Sequence, residues 1–216
     1  MSFILAPGTA VAIASGYGSA KSMTALTNAA NAVATLEAAH GVAVGNILEL
    51  TSGWPKADKR VMRASAVSTN DVTIEGLDTS STTQYPPGSG VGSVRRITAW
   101  TSLSQIAQDI ASSGGQQQFA SIRLLSQEDE IALPTTRTPV TLTLPAYYDP
   151  ALAYLAIVRA ARDSKTPTAV RMVFPNGAVL YGNAYWGMND VPSVRDGVLS
   201  TDITLNFAAQ PIVYAS

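Results

Sequence analysis

The stretch Arg171-Met172-Val173-Phe174-Pro175-Asn176-Gly177 decides the fold. Ala169 to Phe174 reads as a strand, Pro175-Asn176-Gly177 as a hairpin turn, and Ala178 to Trp186 as the strand that returns. Downstream, Ser200 to Ala208 alternates: Ile203, Leu205 and Phe207 point one way, and Asp202, Thr204 and Asn206 the other. Upstream, Asp149-Pro150 has the form of a helix start, a capping residue followed by proline at the first helical position. It predicts a helix over Ala151 to Asp163 with Leu152, Leu155, Ala156 and Arg159 on one side. Arg159, Arg162 and Lys165 fall near its C-terminal end, where the helix dipole favours cations, and Pro167 stops it. Further back, Ser93 to Ser104 offers Val94, Ile97 and Trp100 for packing. Gly114-Gly115 marks a turn, Gln118 to Leu125 reads as a strand, and Thr141 to Leu144 alternates cleanly. Strands, one helix, a hairpin and a closing strand predict a mainly β (α+β) domain over residues 93–216. Its expected form is an antiparallel β-sandwich or open barrel with one flanking helix.

The first part of the chain reads differently. Residues 1–22 suggest an N-terminal arm: Phe3, Ile4 and Leu5 are apolar, Pro7-Gly8 turns, Thr9 to Ser15 could form a short strand, and Gly16-Tyr17-Gly18-Ser19 reads as flexible punctuation. Residues 23–92 suggest a small inserted β-module. Asn46 to Leu50 ends at the turn-rich Thr51-Ser52-Gly53, Lys59 to Val67 follows as a strand, and Asn70-Asp71 turns into Val72-Thr73-Ile74. Asp78 to Gly92 is Ser/Thr-rich, contains Pro86-Pro87-Gly88-Ser89-Gly90, and has the composition of a loop or linker. The alanine-rich segment from Leu26 to His40 favours helix on propensity alone, with Gly41 as a C-terminal cap.

Of the 216 residues, 46% are apolar and only 13% charged, about half the charge of a typical domain. So little charge suggests a surface that other protein covers. A net charge of −1 argues against a nucleic-acid-binding face rich in Lys and Arg. Without cysteine there are no disulfides or thiolate metal sites, which fits assembly in a reducing cytosol. The first residues lack the basic start of a signal peptide, no apolar run is long enough for a bilayer, and no membrane insertion is expected.

From Arg171 through Phe-Pro-Asn-Gly at 174–177, Tyr181-Gly182-Asn183-Ala184-Tyr185-Trp186 and Asp202 to Phe207, the ordered pattern resembles the major tail tube proteins of long-tailed bacteriophages, including the phage lambda type. A second stretch is similar to a small β-barrel module that recurs in phage virion proteins: Thr27-Asn28, Ala39-His40-Gly41, Gly45 to Leu50, and Asn70 to Ile74. Asn46 stands there where Asp is more common. In that module the segment before His-Gly is extended, so the resemblance favours strand over helix for Leu26 to His40. It implies a virion protein assembled in the host cytoplasm into six-fold rings, stacked into a β-lined tube through which DNA passes on ejection. The implied partners are further copies of the chain, a tape-measure protein, a tail terminator and distal tail or baseplate proteins, with a flexible, non-contractile tail favoured. No cofactor is implied.

Stacking requires head-to-tail contacts that propagate. The candidate segment is Ser126 to Pro139, with the acidic run Glu128-Asp129-Glu130 followed by Ile131 and Leu133, and the resemblance to lambda-type tubes favours an inter-ring role over a solvated hairpin tip. Arg95, Arg96, Arg159 and Arg162 are the available basic partners, and Phe3 could dock with the arm or pack on its own domain. A DNA conduit should not grip phosphate, which Lys and Arg do. Gln118, Thr141, Thr143, Asp202, Thr204 and Asn206 therefore suit a lumen lining or, equally, an outer solvated face. An inserted module would obstruct the lumen, so residues 23–92 are expected on the outer surface.

Enzymatic readings are weaker. His40 is the sole histidine and lies in a turn, and no nucleophile elbow, zinc-protease helix or Walker loop is present. Gly16-x-Gly18 with Ala20 lacks the rest of a dinucleotide fingerprint and reads as a flexible joint. Glu128 to Glu130 are adjacent rather than spaced like a calcium loop. Tyr147-Tyr148 and Tyr185-Trp186 could stack on sugar, which keeps a phage-surface decoration or carbohydrate-binding module as the alternative, but such aromatics more often anchor cores and interfaces.

Overall fold

In the computed structural model, residues 7–107, 109–125 and 129–215 are described. Apart from one helix, the regular elements are strands, and every pairing is antiparallel. The fold is a β-sandwich architecture with one helix.

β1 (Ala10–Tyr17) opens the main sheet, and the chain then enters a small barrel. The barrel is made of β2 (Lys21–Leu26), β3 (Val33–Leu36), β4 (Ile47–Ser52), β5 (Val61–Ser68), β6 (Asp71–Ile74) and the first part of β7 (Gly92–Leu103). These pair in the order β2-β3-β6-β5-β4-β7, and β2 also pairs β7, so the ring closes and no edge is left open. Met23, Leu36, Leu48, Leu50, Met62 and Ile74 fill it, each essentially inaccessible to solvent. Burying side chains of this size contributes about 1.5–3 kcal/mol each. Leu26 to His40 is not helical: Leu26 ends β2, and Val33–Leu36 forms β3.

Two expectations are corrected here. Residues 78–92 form no linker. They cap the barrel, because Thr79 is fully buried and its hydroxyl donates to the Thr27 carbonyl (2.7 Å), while Asn28 Nδ2 donates to the Thr79 and Tyr85 carbonyls. Trp54 packs edge-on against Tyr85 and donates from Nε1 to the Pro86 carbonyl. Likewise, residues 10–22 are no arm. β1 lies between β7 and the later strand Thr168–Val173, with Val11 and Ile13 buried on one face and Ala12 and Ala14 on the other. Gly16 sits at a bulge in β1 where a Cβ would come within 2.8 Å of Thr98 Oγ1, so it is a packing requirement rather than a flexible joint. Phe3 lies outside the described residues.

From β7 the chain continues through β8 (Ala111–Ser113), β9 (Gln117–Ile122), β10 (Ile131–Arg137), β11 (Thr141–Tyr147), α1 (Ala153–Ser164), β12 (Thr168–Val173), β13 (Val179–Met188), β14 (Ser193–Arg195), β15 (Val198–Phe207) and β16 (Ile212–Tyr214), all but β9, β10 and α1 joining the main sheet. Its order is β7-β1-β12-β13-β15-β11-β8, with β14 on β15 and β16 on β13. The Pro175-Asn176-Gly177 turn joins β12 to β13 as expected, with Gly177 at φ +84°. α1 covers one face through Tyr154, Leu155, Val158 and Ala161. It begins two residues later than predicted, because Asp149 accepts the Ala151 N–H in a turn ahead of it, and Leu152 takes the cap position without a capping side chain. The buried side is rotated too: Ala156 is exposed, while Arg159 reaches the Tyr148 hydroxyl.

The barrel packs on the other face. Ile47 and Val61 from its wall meet Ala14, Ile97 and Ala169, flanked by Tyr17, Trp100 and Tyr181. The small residues on β1 and β12 let the two bodies approach. β7 belongs to both: Ser93–Arg96 pairs with β4, and Ile97–Leu103 pairs with β1.

Candidate assembly surfaces

β11, β15 and β13 lie side by side, and alternation sorts their side chains. Leu142, Leu144, Ile203, Leu205, Ala184 and Trp186 face α1. Thr141, Thr143, Thr204 and Asn206 turn the other way, in register: Thr141 opposes Asn206 with a 2.8 Å bond between Oγ1 and Oδ1, Thr143 opposes Thr204, and Asp202 follows opposite Pro145. Tyr185 and Gly187 on β13 oppose Asn206 and Thr204, extending the strip. These two were missed in the sequence, although the two-residue period of β13 places them there. Five of the six residues expected to share a polar surface are therefore brought together. Gln118 is not; it lies on β9. β11, β13 and β15 contain no lysine or arginine, and Asp202 is their sole carboxylate. Lys59, from the barrel, borders the strip at 3.5 Å from the Tyr185 hydroxyl.

β9 and β10 form a separate two-stranded ribbon, paired from Ile122↔Ile131 to Gln117↔Arg137. It continues the β8–β11 pairing outward through Gly114 and Gly115. Both take positive φ, and a Cβ on Gly114 would strike the Pro139 carbonyl. Nearly every residue of the ribbon is exposed, including Phe119, Ile122, Ile131 and Leu133. An isolated hairpin of this kind is marginal in water. Glu130 lies 3.4 Å from Arg123 near the tip beside Asp129, and Glu128 lies outside the described residues.

The four arginines expected as basic partners already have neighbours. Arg95 holds Glu49 at 2.7 Å and stacks on the Tyr17 ring, and Arg96 donates to the Gly41 carbonyl, both on the barrel. Arg162 holds Asp163 and Asp190, and Arg159 lies 3.8 Å from Asp190, both on α1. The carboxyl of Asp190 is held below its ordinary value, chiefly by the Arg162 hydrogen bond. Burial pushes the Tyr17 hydroxyl up to about 12, and that hydroxyl accepts the Ala169 N–H, a structural bond between β1 and β12.

No reactive constellation emerges among these residues. His40 Nε2 donates to the Thr69 carbonyl at 2.9 Å while Nδ1 accepts the Val42 N–H at 3.0 Å, so both ring nitrogens staple turns. Trp186 is buried with Nε1 on the Thr168 carbonyl, and cannot stack on a sugar. A cleft of about 610 Å³ at the foot of the ribbon carries Lys56, Arg60 and Arg137 with no carboxylate or histidine in its lining. Among the described residues no His, Asp and Glu cluster of three is placed for a metal, and no helix is long and apolar enough to cross a membrane.

The described residues thus form a β-rich fold whose exposed features are a polar strip and a projecting ribbon. The family model described as phage tail tube protein, TTP, matches residues 52–216, and the chain belongs to that family. It is a structural component of a phage tail. No curated protein matches the chain. Among solved structures, a chain in the cryo-EM structure of the anti-feeding prophage (AFP) baseplate, 6-fold symmetrised, is similar over 55% of this chain and 86% of that one, with 12% identity and a TM-score of 0.38.

Proposed function

We propose that the chain forms six-membered rings stacked into a hollow tail tube that conducts DNA, with the polar strip of β11, β13 and β15 facing the channel and the β9–β10 ribbon contacting the next ring. The observation that carries this reading is the pairing of a Lys- and Arg-free polar strip with a projecting apolar ribbon. Strands without lysine or arginine offer phosphate few counterion-releasing contacts and let DNA slide, with Lys59 at the border held on the Tyr185 hydroxyl. A ribbon that covers its apolar side chains only against another molecule suits a contact that propagates. Tape-measure, terminator and distal tail proteins are the further partners, and assembly takes place in the host cytoplasm. Because the barrel packs on the same side of the sheet as the strip, this reading places the barrel at the strip's border.

Electron microscopy of the chain expressed with its tail partners tests the proposal. Hollow tubes with six subunits per ring are expected. Deletion of Glu128 to Thr136 should leave a folded subunit, with an unchanged circular dichroism spectrum, that no longer polymerises. Normal tubes from the deletion variant would refute the role given to the ribbon.

A further inference from the structure

We infer that the β14–β15 hairpin of one subunit receives the β9–β10 ribbon of a second copy of this chain. The inference rests on the tube reading and supplies what that reading lacks, the docking surface.

The geometry comes from the register of β11 and β15. Thr141 opposes Asn206 at one end of this pair, and Tyr147 opposes Ser200 at the other. The β9–β10 ribbon leaves from the Thr141 end, where β8 and β11 run on into it. β14 and the first residues of β15 leave from the Ser200 end, closed by Asp196-Gly197, both at positive φ as a tight hairpin turn needs. Two projections therefore stand at opposite ends of one strand pair, about 20 Å apart along it. A copy shifted along that direction brings the ribbon of one subunit to the hairpin of the next. The same relation repeats without closing, which is the property a stack requires.

The chemistry agrees. Ile122 and Ile131 are cross-strand partners on the ribbon, and Leu133, two residues on from Ile131, shares their face, giving a small exposed apolar surface. On the receiving hairpin Val194 and Leu199 are cross-strand partners, 70% and 48% exposed, and Val191, three residues before Val194 in the chain, is 72% exposed. Neither surface is large enough to matter alone, but each fits the other. Their mechanics also differ in the useful way. The receiving hairpin is braced, because Arg195 holds Asp109, Ser193 bonds Ser200, and the adjoining Asp190 is gripped by Arg162. The ribbon meets the body only through Gly114-Gly115 and the paired residues 138–140, and almost none of its side chains pack on the body.

The chain has no cysteine, so introduced pairs read the contact directly. Two full-length double variants, Leu133→Cys with Leu199→Cys and Ile131→Cys with Val194→Cys, would be assembled with the tail partners and oxidised. A ladder of covalent oligomers that collapses under reductant is expected from at least one. The matching single-cysteine variants, mixed, should stop at dimers, and Leu133→Cys with Val44→Cys, on the barrel, should give no ladder. Val194→Glu combined with Leu199→Glu should leave the melting curve unchanged and abolish tube growth. Tubes that form without a ladder from either pair, or that grow normally from the double glutamate variant, would overturn the inference. Wild-type protein that forms no tubes at all would instead overturn the tube reading beneath it.

Discussion

Tyr154 and Tyr214 show how much a hydroxyl depends on its surroundings. Tyr154 is buried under the sheet and its oxygen has no hydrogen-bond partner among the described residues. Tyr154→Phe removes an unsatisfied polar atom while keeping the ring, so stability measured in urea should hold or rise by up to about 1 kcal/mol. Tyr214 is the opposite case. Its hydroxyl accepts the Arg63 N–H at 2.9 Å and donates to the Glu75 carbonyl at 3.0 Å, and the Arg63 guanidinium lies 4.5 Å from its ring centre. Arg63 in turn grips both oxygens of Glu75, at 2.6 and 2.7 Å. That hydrogen bonding holds the Glu75 carboxyl below its ordinary value of 4.5. The folded form therefore gains from Glu75 ionisation above that ordinary value, and the gain disappears as pH falls through the lowered folded value. Glu75→Gln should be less stable than wild type at about pH 7, and the two denaturation midpoints should converge as pH falls through the lowered folded value. Of all this, the sequence displayed only periodicity. Alternation along Asp202 to Asn206 located the polar strip, whereas the Tyr214 clamp joins residues 139 positions apart, which no local pattern reveals.

The elements were legible where side-chain period and turn chemistry agreed. β12, its Pro-Asn-Gly turn, β13 and β15 fall where alternation puts them. α1 is displaced because Asp149-Pro150, a sound start signal in isolation, is used for a turn that lets the chain leave β11. Its far end is ordinary except for Lys165, which caps the helix at φ +54° and donates its N–H to the Arg162 carbonyl. A left-handed residue there normally favours glycine. Lys165→Gly should accordingly raise stability by about 0.5–1 kcal/mol, read from the thermal midpoint. The β14–β15 hairpin went unread although Asp196-Gly197 is a strong turn signal, because β14 is only three residues long and shows no alternation to recognise. Residues 78–92 misled in the other direction: serine, threonine and proline describe a linker, but Thr79, Tyr85 and the neighbouring Trp54 make that stretch a lid on the barrel.

At the scale of the whole molecule, the expected arm and module boundary give way to a single connected sheet. The barrel is inserted between β1 and the rest of the main sheet, yet it is not tethered by a linker: the outgoing and returning strands are ladder partners, and β16 crosses back so that Ile212 reaches the barrel core. The sequence could not show this, since the barrel and sheet portions of β7 form one unbroken run. Heating should therefore give one calorimetric transition, with van't Hoff and calorimetric enthalpies equal, rather than two separate melts.

A strand shared by two bodies also has a mechanical meaning. Gly92 to Leu103 passes from barrel to sheet with no slack segment between them. Torque applied to the barrel must shear backbone ladders before the two parts can swivel. A tail made of such units would bend at the seams between copies, while each copy keeps its shape.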